Sequence, residues 1–271
     1  MNKMYVIKIG GRVIDDDALL SEFLDQFVQI EEPKILVHGG GSQATAVARA
    51  MGIDVKMTNG RRITDADTLE IVTMVYGGLI NKTLVAQIQK RGCNAIGLSG
   101  ADGNIIRAHK RESHPVDYGH VGDIDQVHTD TLETFLDNGL TTVIAPLTHD
   151  GNGALLNTNA DTIAAMIATA FTTKYEVELI TCFEQAGVME SRDEMQSVLH
   201  ELSYEYFTAL KNAGHVTDGM IPKIETGFQA LESGVSDVKI CYAGSLLSVL
   251  QGTSRGRYTT FTRKKDRSYE S

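Results

Sequence analysis

Cysteine is scarce in this chain, and what there is cannot form a framework. Cys93, Cys182 and Cys241 are odd in number and far apart, with no CxxC pair and no zinc-type spacing. Each sits in or beside an apolar, strand-like run, which reads as buried reduced thiols of a cytoplasmic protein. Excess positive charge is also missing: 25 Lys and Arg stand against 35 Asp and Glu, a net charge of −10. That balance speaks against nonspecific binding to nucleic acid or to an acidic membrane. Any anionic ligand must be held by local cations and dipoles. No Gly-Lys dipeptide occurs, so there is no P-loop. The longest apolar run, near Ile163–Phe171, is too short to cross a bilayer. The chain goes straight into a strand pattern, so no secretory leader is visible. Repeats and low-complexity tracts are missing too, and the charged stretch 262–271 reads as a solvated tail.

What the chain does have is 271 residues of ordinary globular composition, enough for one large α/β domain or two lobes. Its central stretch runs from Ile35 to Met51. Ile35, Leu36 and Val37 read as a buried parallel strand; Gly39, Gly40 and Gly41 follow. Ala44, Val47, Ala48 and Met51 then repeat at helical spacing, with Ser42 as the expected cap. A strand turning through glycines into a helix start leaves backbone N–H groups that an anion can approach closely.

The rest of the chain alternates in the same way. Met4–Gly11 is a strand ending in Gly10-Gly11, which opens a loop, and it contains Lys8. A lysine in a buried strand is costly unless its ammonium reaches an anion. A helix over Ala18–Ile30 leads to the Ile35 strand and closes a βαβ unit. Asn59-Gly60 marks a turn, Thr64 is an expected N-cap, and a long helix is predicted over Asp65–Arg91. Gly77-Gly78 in its middle cost about 1 kcal/mol each relative to alanine, so something should pack closely there.

Cys93–Gly100 is another strand, with Asp102-Gly103 a hairpin turn. Ile105–His128 reads as a β-hairpin excursion, and its four histidines lack ligand spacing. Asp150–Asp161 gives a turn, a short strand, and Asn159 as the cap of a helix over Thr162–Phe171. Capping leaves Asn157 unexplained. Further elements follow at Val177–Thr181 and Ser203–Ala213, then a helix that Thr217–Lys223 enters and that runs to about Ser233, and then Val238–Cys241, Ala243–Leu250 and Tyr258–Phe261. The fold class is therefore α/β, a three-layer α/β/α sandwich with a mainly parallel central sheet.

Seven short motifs stand in order: Lys8-Ile-Gly-Gly11, His38-Gly-Gly-Gly41, Asn59-Gly-Arg-Arg-Ile-Thr64, Asn81-Lys82, Gly119-His-Val-Gly122, Asn157-Thr-Asn-Ala-Asp161 and Thr217-Asp-Gly-Met-Ile-Pro-Lys223. Together they resemble the amino acid kinase superfamily, with its carbamate kinase-like fold, and within it the N-acetylglutamate kinase branch of arginine biosynthesis. The resemblance implies ATP-dependent phosphorylation of the γ-carboxylate of an N-acylated glutamate, with Mg²⁺ arriving on the nucleotide and no permanent metal. It makes Lys8 and Lys223 the transition-state lysines and Asp161 the carboxylate that organises them. Gly40, Gly41, Arg62 and Asn157 become the acylglutamate contacts, and Gly10, Gly11, Thr217 and Gly219 the nucleotide side.

It also implies an N-terminal lobe, residues 1–174, for substrate and dimerisation, and a nucleotide lobe, residues 175–261. The homodimer would form through the helix at Asp65–Arg91. Because the first strand begins at Met4, without a preceding helix, arginine feedback is not expected. The chain departs from the family where an Asp-Val-x-Gly pattern usually stands: here the residues are Thr181-Cys-Phe-Glu-Gln-Ala-Gly-Val188. That departure bears on the adenine and ribose contacts and admits a different acyl group, N-succinyl being the variant to test.

The chemistry supports these roles on its own terms. A carboxylate attacking ATP brings two anions together, so charge neutralisation is the main task. A glutamate side chain is already ionised at neutral pH and needs no general base. Two other readings compete. Gly39-Gly-Gly-Ser-Gln-Ala44 fits G-x-G-x-x-A, as in a dinucleotide-binding dehydrogenase, although Asp54 comes too early for the ribose acid. A catalytically inactive binding protein of the kinase fold would keep the same motifs.

Overall fold

The computed structural model describes residues 1–58, 61–189, 198–216, 219–253 and 258–263. The Asn59-Gly60 turn, Thr217 and all but the first two residues of the tail lie outside them. The chain opens with β1 (Lys3–Ile9), α1 (Gly11–Asp15) and α2 (Asp17–Phe27), then β2 (Lys34–His38) and α3 (Gly41–Ala50). Two short strands, β3 (Met57–Thr58) and β4 (Arg61–Arg62), pair antiparallel. A continuous helical rod follows, made of α4 (Ala66–Val72), a π-helical segment (Thr73–Ile80) and α5 (Asn81–Lys90).

After the rod come β5 (Ala95–Leu98), β6 (Ile106–Lys110), β7 (Gly122–Val127) and α6 (Thr129–Asp137). Next are β8 (Thr141–Ile144), β9 (Leu147–His149), β10 (Leu155–Asn157) and α7 (Ala160–Phe171). The last part holds β11 (Glu176–Phe183), β12 (Glu201–Ser203), α8 (Tyr204–Asn212) and α9 (Ile221–Glu232). It closes with β13 (Asp237–Tyr242), α10 (Leu246–Leu250) and β14 (Tyr258–Thr262).

Eight strands form one sheet in the order β12-β14-β13-β11-β1-β2-β8-β5, parallel except for the β13–β14 pair. The α/β sandwich expected from the alternation is what forms. Successive residues of a strand face opposite sides. Thus Met4 and Val6 join the core under α7 and α9, whereas Tyr5, Ile7 and Ile9 join the core under the first five helices. β1 lies in the middle of the sheet, so Lys8 is 3% exposed and has no edge from which to reach water. A second sheet, β10-β9-β6-β7, contains the expected hairpin excursion.

Several local expectations are corrected. Gly10-Gly11 opens a helical turn, α1, where a loop was expected. Ser42 does not cap α3; the cap position is Gly40, and the Ser42 hydroxyl donates to Asp15. Thr64 does not cap the long helix either, because Asp65 accepts from Thr68 N–H at 3.0 Å. Asp102-Gly103 makes no hairpin: β5 pairs with β8, and a 3₁₀ turn carries the chain into the other sheet.

Cys182 and Cys241, far apart in sequence, are register partners with their sulfurs 3.6 Å apart, and Cys93 is only half-buried. By length and composition the rod Ala66–Lys90 is apolar and long enough to cross a membrane. Its stripe of Ile71, Val75, Tyr76, Ile80, Leu84 and Ile88 is nevertheless buried in the core. Among the described residues only Gly77 has a close neighbour there: a Cβ on Gly77 would lie 3.4 Å from Leu147, and a Cβ on Gly78 would meet nothing within 4 Å.

Candidate active site

The sheet alternation turns Lys8 toward α7, and α7 presents Asp161 in its first turn. Asn159 caps that helix, accepting from the N–H of Asp161 at 2.8 Å and of Thr162 at 3.1 Å, as its position predicts. Asp161 therefore has a fixed backbone and sits where a helix dipole favours negative charge. Its two oxygens are shared between two lysines: Lys8 Nζ is 2.7 Å from Oδ1 and Lys223 Nζ is 2.7 Å from Oδ2. Lys223 comes from the first turn of α9, which Pro222 helps to start.

Burial would raise the Asp161 carboxyl, but Lys8 and then Lys223 hold it well below the usual carboxylate range. For Lys8 burial wins over the pull of Asp161 and brings the ammonium down to about 8. For the more open Lys223 burial pulls the other way, but Asp161 prevails and the ammonium is held above its ordinary value.

This trio lines a cavity of about 270 Å³. Gly11, Gly39, Gly40 and Gly41 contribute to its wall, together with Arg62 and Asn157. The two glycine loops lie against each other: a Cβ on Gly11 would be 3.1 Å from Ser42 Oγ and 3.6 Å from Gly41 N. Arg62 donates from Nη2 to Gly41 O and to Thr45 Oγ1, both at 2.8 Å. Its Nη1 is buried without a partner among the described residues. A buried, unsatisfied guanidinium nitrogen at a cavity wall is suited to a carboxylate. Asn157, left over by capping, is held by Thr64 Oγ1, which accepts from its side chain at 3.0 Å.

Five cationic side chains (Lys8, Arg61, Arg62, Arg111 and Lys223) line the cavity, and Asp161 is its lone carboxylate among the described residues. In a chain of net charge −10, that is a strong local reversal.

Of the sequence-based candidates, Lys8, Gly11, Gly40, Gly41, Arg62, Asn157, Asp161 and Lys223 thus meet at one cavity. Gly10 is next to it, its N–H donating to Cys182 O at 3.3 Å. Gly219 is exposed and outside the lining, and Thr217 is not among the described residues. Reading from sequence missed Tyr76, Arg61, Arg111, Val121 and Met57 as lining residues. Tyr76 was hidden in an apolar helical stripe. Arg61 and Val121 stood inside quoted motifs and could have been found. Arg111 had no local signal; the β6–β7 excursion carries it there, with its guanidinium paired to Asp123. His109, in the same excursion, is exposed and 2.6 Å from Asp125.

Residues 3–242 match the amino acid kinase family. The chain belongs to the amino acid kinase family. It is 49% identical over 251 residues to an acetylglutamate kinase of Cytophaga hutchinsonii, covering 92% of this chain and 95% of that protein. Among solved structures it is similar to smu.665 of Streptococcus mutans UA159, at 28% identity and a TM-score of 0.77, over 88% of this chain and 94% of that one. Carbamate kinase of Giardia lamblia bound to AMP-PNP shares the fold, with a TM-score of 0.71 at 14% identity over 97% and 99% of the two chains. Membership of the amino acid kinase family removes the dinucleotide-binding reading of Gly39–Ala44. In the family's Asp-Val-x-Gly region this chain extends β11 through Phe183 and then places Glu184 2.8 Å from Arg12 of α1.

Proposed function

We propose that this enzyme transfers the γ-phosphoryl group of ATP to the γ-carboxylate of N-acetyl-L-glutamate, giving the acyl phosphate used in arginine biosynthesis. The observation that carries the reading is the Lys8–Asp161–Lys223 bridge at a cationic cavity between two glycine loops. Attack of a carboxylate on a phosphoryl group requires close approach of two anions, and the lysines offset that repulsion. Lysine ammonium groups are compact point charges and can follow the phosphoryl group as it moves. With both oxygens committed to lysines and its carboxyl held deprotonated, Asp161 positions them and takes no proton.

Arg62, with Nη1 unspent, receives the α-carboxylate; Asn157 and the N–H groups of Gly40 and Gly41 hold the rest of the acylglutamate. Gly10, Gly11, Thr217 and Gly219 take the nucleotide side, giving a substrate lobe at 1–174 and a nucleotide lobe at 175–261. Mg²⁺ comes with ATP, held by phosphates and water, since the one carboxylate in the described cavity is already paired.

Met74 and Leu79, each half-exposed on the rod beside the open Gly78, support a homodimer through this helix; sedimentation as a monomer would remove it. The enzyme is assigned to the cytoplasm. Arg61 adds a cation at the cavity beyond Arg62 and the two lysines, which favours including N-succinyl-L-glutamate as a second acceptor. The test is ADP release with ATP·Mg²⁺ and hydroxylamine trapping of the acyl phosphate. N-acetyl-L-glutamate, N-succinyl-L-glutamate and free glutamate are offered in parallel. Turnover with an acylated glutamate is expected, and silence with all three would leave an inactive binding protein of the same fold.

A further inference from the structure

Two of the motifs have no role in this chemistry: the histidine of His38-Gly-Gly-Gly41 and the pair Asn81-Lys82. Strand alternation sends His38 to the face opposite Lys8, where the rod packs. Its ring is fully buried. Nδ1 is 2.7 Å from Gly39 O, and Nε2 is 3.2 Å from Asn81 Nδ2. A carbonyl only accepts, so the ring proton is on Nδ1 and Nε2 accepts from the Asn81 amide. The second Asn81 amide hydrogen goes to Val143 O at 2.9 Å. Lys82 Nζ, 3.0 Å from Asn81 Oδ1 and 2.7 Å from Gly97 O, fixes which way that amide points. Gly97 leaves the space, because a Cβ there would be 2.0 Å from Asn81 Oδ1.

We propose that His38, Asn81 and Lys82 are positioning residues that set the direction of the substrate-facing N–H of Gly40. Across a trans peptide the N–H is antiparallel to the C=O, so holding Gly39 O toward the ring turns the Gly40 N–H away from it. Around the Gly39–Gly40 peptide the backbone is anchored by Gly39 N–H to Ile9 O at 2.9 Å, Gly39 O to the ring, and Gly40 O to Ala44 N–H at 3.1 Å. Without the middle one, a peptide between two glycines is free to flip. Among the described residues the N–H groups of Gly40 and Gly41 have no protein acceptor, which leaves them for a ligand. The rod also closes on this loop from its side, since a Cβ on Gly40 would be 2.2 Å from Ile80. Burial keeps the ring neutral, pushing it down to about 4, so the pattern holds at working pH.

The inference rests on the acylglutamate reading of the loop. Steady-state kinetics of the full chain with N-acetyl-L-glutamate and ATP test it, with thermal melting of each variant. His38→Leu should lower kcat/KM for the acylglutamate by about ten- to a hundredfold while KM for ATP stays within about twofold. His38→Asn, whose amide still reaches Gly39 O, should recover most of the loss. Lys82→Met, at an exposed position that does not endanger the fold, should move the same parameter in the same direction by about two- to fivefold.

A folded His38→Leu enzyme within about twofold of wild type would overturn the inference, as would a His38→Asn enzyme no better than His38→Leu. A KM for ATP rising in step would do the same. If His38→Leu does not fold, an unchanged Lys82→Met enzyme overturns it. If the wild type turns over no acylated glutamate, the substrate reading has failed instead. The relay is then judged by the ¹⁵N-glycine amide resonances of Gly39–Gly41, which Lys82→Met must shift.

Discussion

Lys8 and His38 stand at the ends of neighbouring parallel strands, where Lys8 pairs in register with Val37 and Ile9 with His38. Both are polar groups in apolar strands, and both are followed by glycines. One residue of offset sends them to opposite faces. Lys8 meets Asp161, which it shares with Lys223, at the wall of the cavity. His38 meets Asn81 and holds no charge, being spent on the scaffold. Their glycines differ in the same sense. Gly40 has φ of +151° and is overhung by Ile80 and Tyr76, so the fold itself requires glycine there. Gly10 has an ordinary φ of −79°, and a Cβ would meet nothing within 4 Å. The fold has no need of a glycine at Gly10, and under the proposed function the close approach of the nucleotide is what would require one.

The comparison can be broken at each end. Lys8→Ala should lower kcat by about 10²–10³ with the fold intact, and near-wild-type turnover would take Lys8 out of the chemistry. Gly40→Ala should cost about 1–3 kcal/mol in denaturant unfolding, from the clash with Ile80 and a positive φ. A second change, Ile80→Ala, should return less than its own cost as a single variant. Gly10→Ala should melt like the wild type yet lose about tenfold in kcat/KM for ATP; a lower melting point with unchanged kinetics would make Gly10 structural after all.

The smallest effect is a shift with pH. In the proposed mechanism Lys8 acts in its charged form, and burial brings that ammonium down to about 8, so kcat/KM should fall as pH rises through that value. Bound phosphates favour the charged form, so the limb in kcat should lie at higher pH. A kcat/KM flat well beyond pH 9 in pH–rate profiles would show that Lys8 does not titrate there.

Local sequence determined more of this molecule than the overall geometry. The alternation of strands and helices required a layered α/β fold. Asn159 could be read as a cap because capping depends on a few neighbouring residues. Lys8 and Asn157 were legible because each is a polar group that its own element does not account for, whereas Asp161, Lys223 and Arg62 stood out only through the motifs that resemble the amino acid kinases. Their meeting at one cavity needed the tertiary structure, since β1 lies between strands that enter the chain 31 and 173 residues later. The same is true of Arg111, which an excursion in a second sheet delivers, and of the Cys182–Cys241 juxtaposition. Tyr76 and the π-helical segment follow the same rule, because periodicity shows that a helix is buried but not what it is buried against. A residue's own sequence neighbours determine its secondary structure; which face of which strand it meets is decided by contacts between residues far apart in the chain.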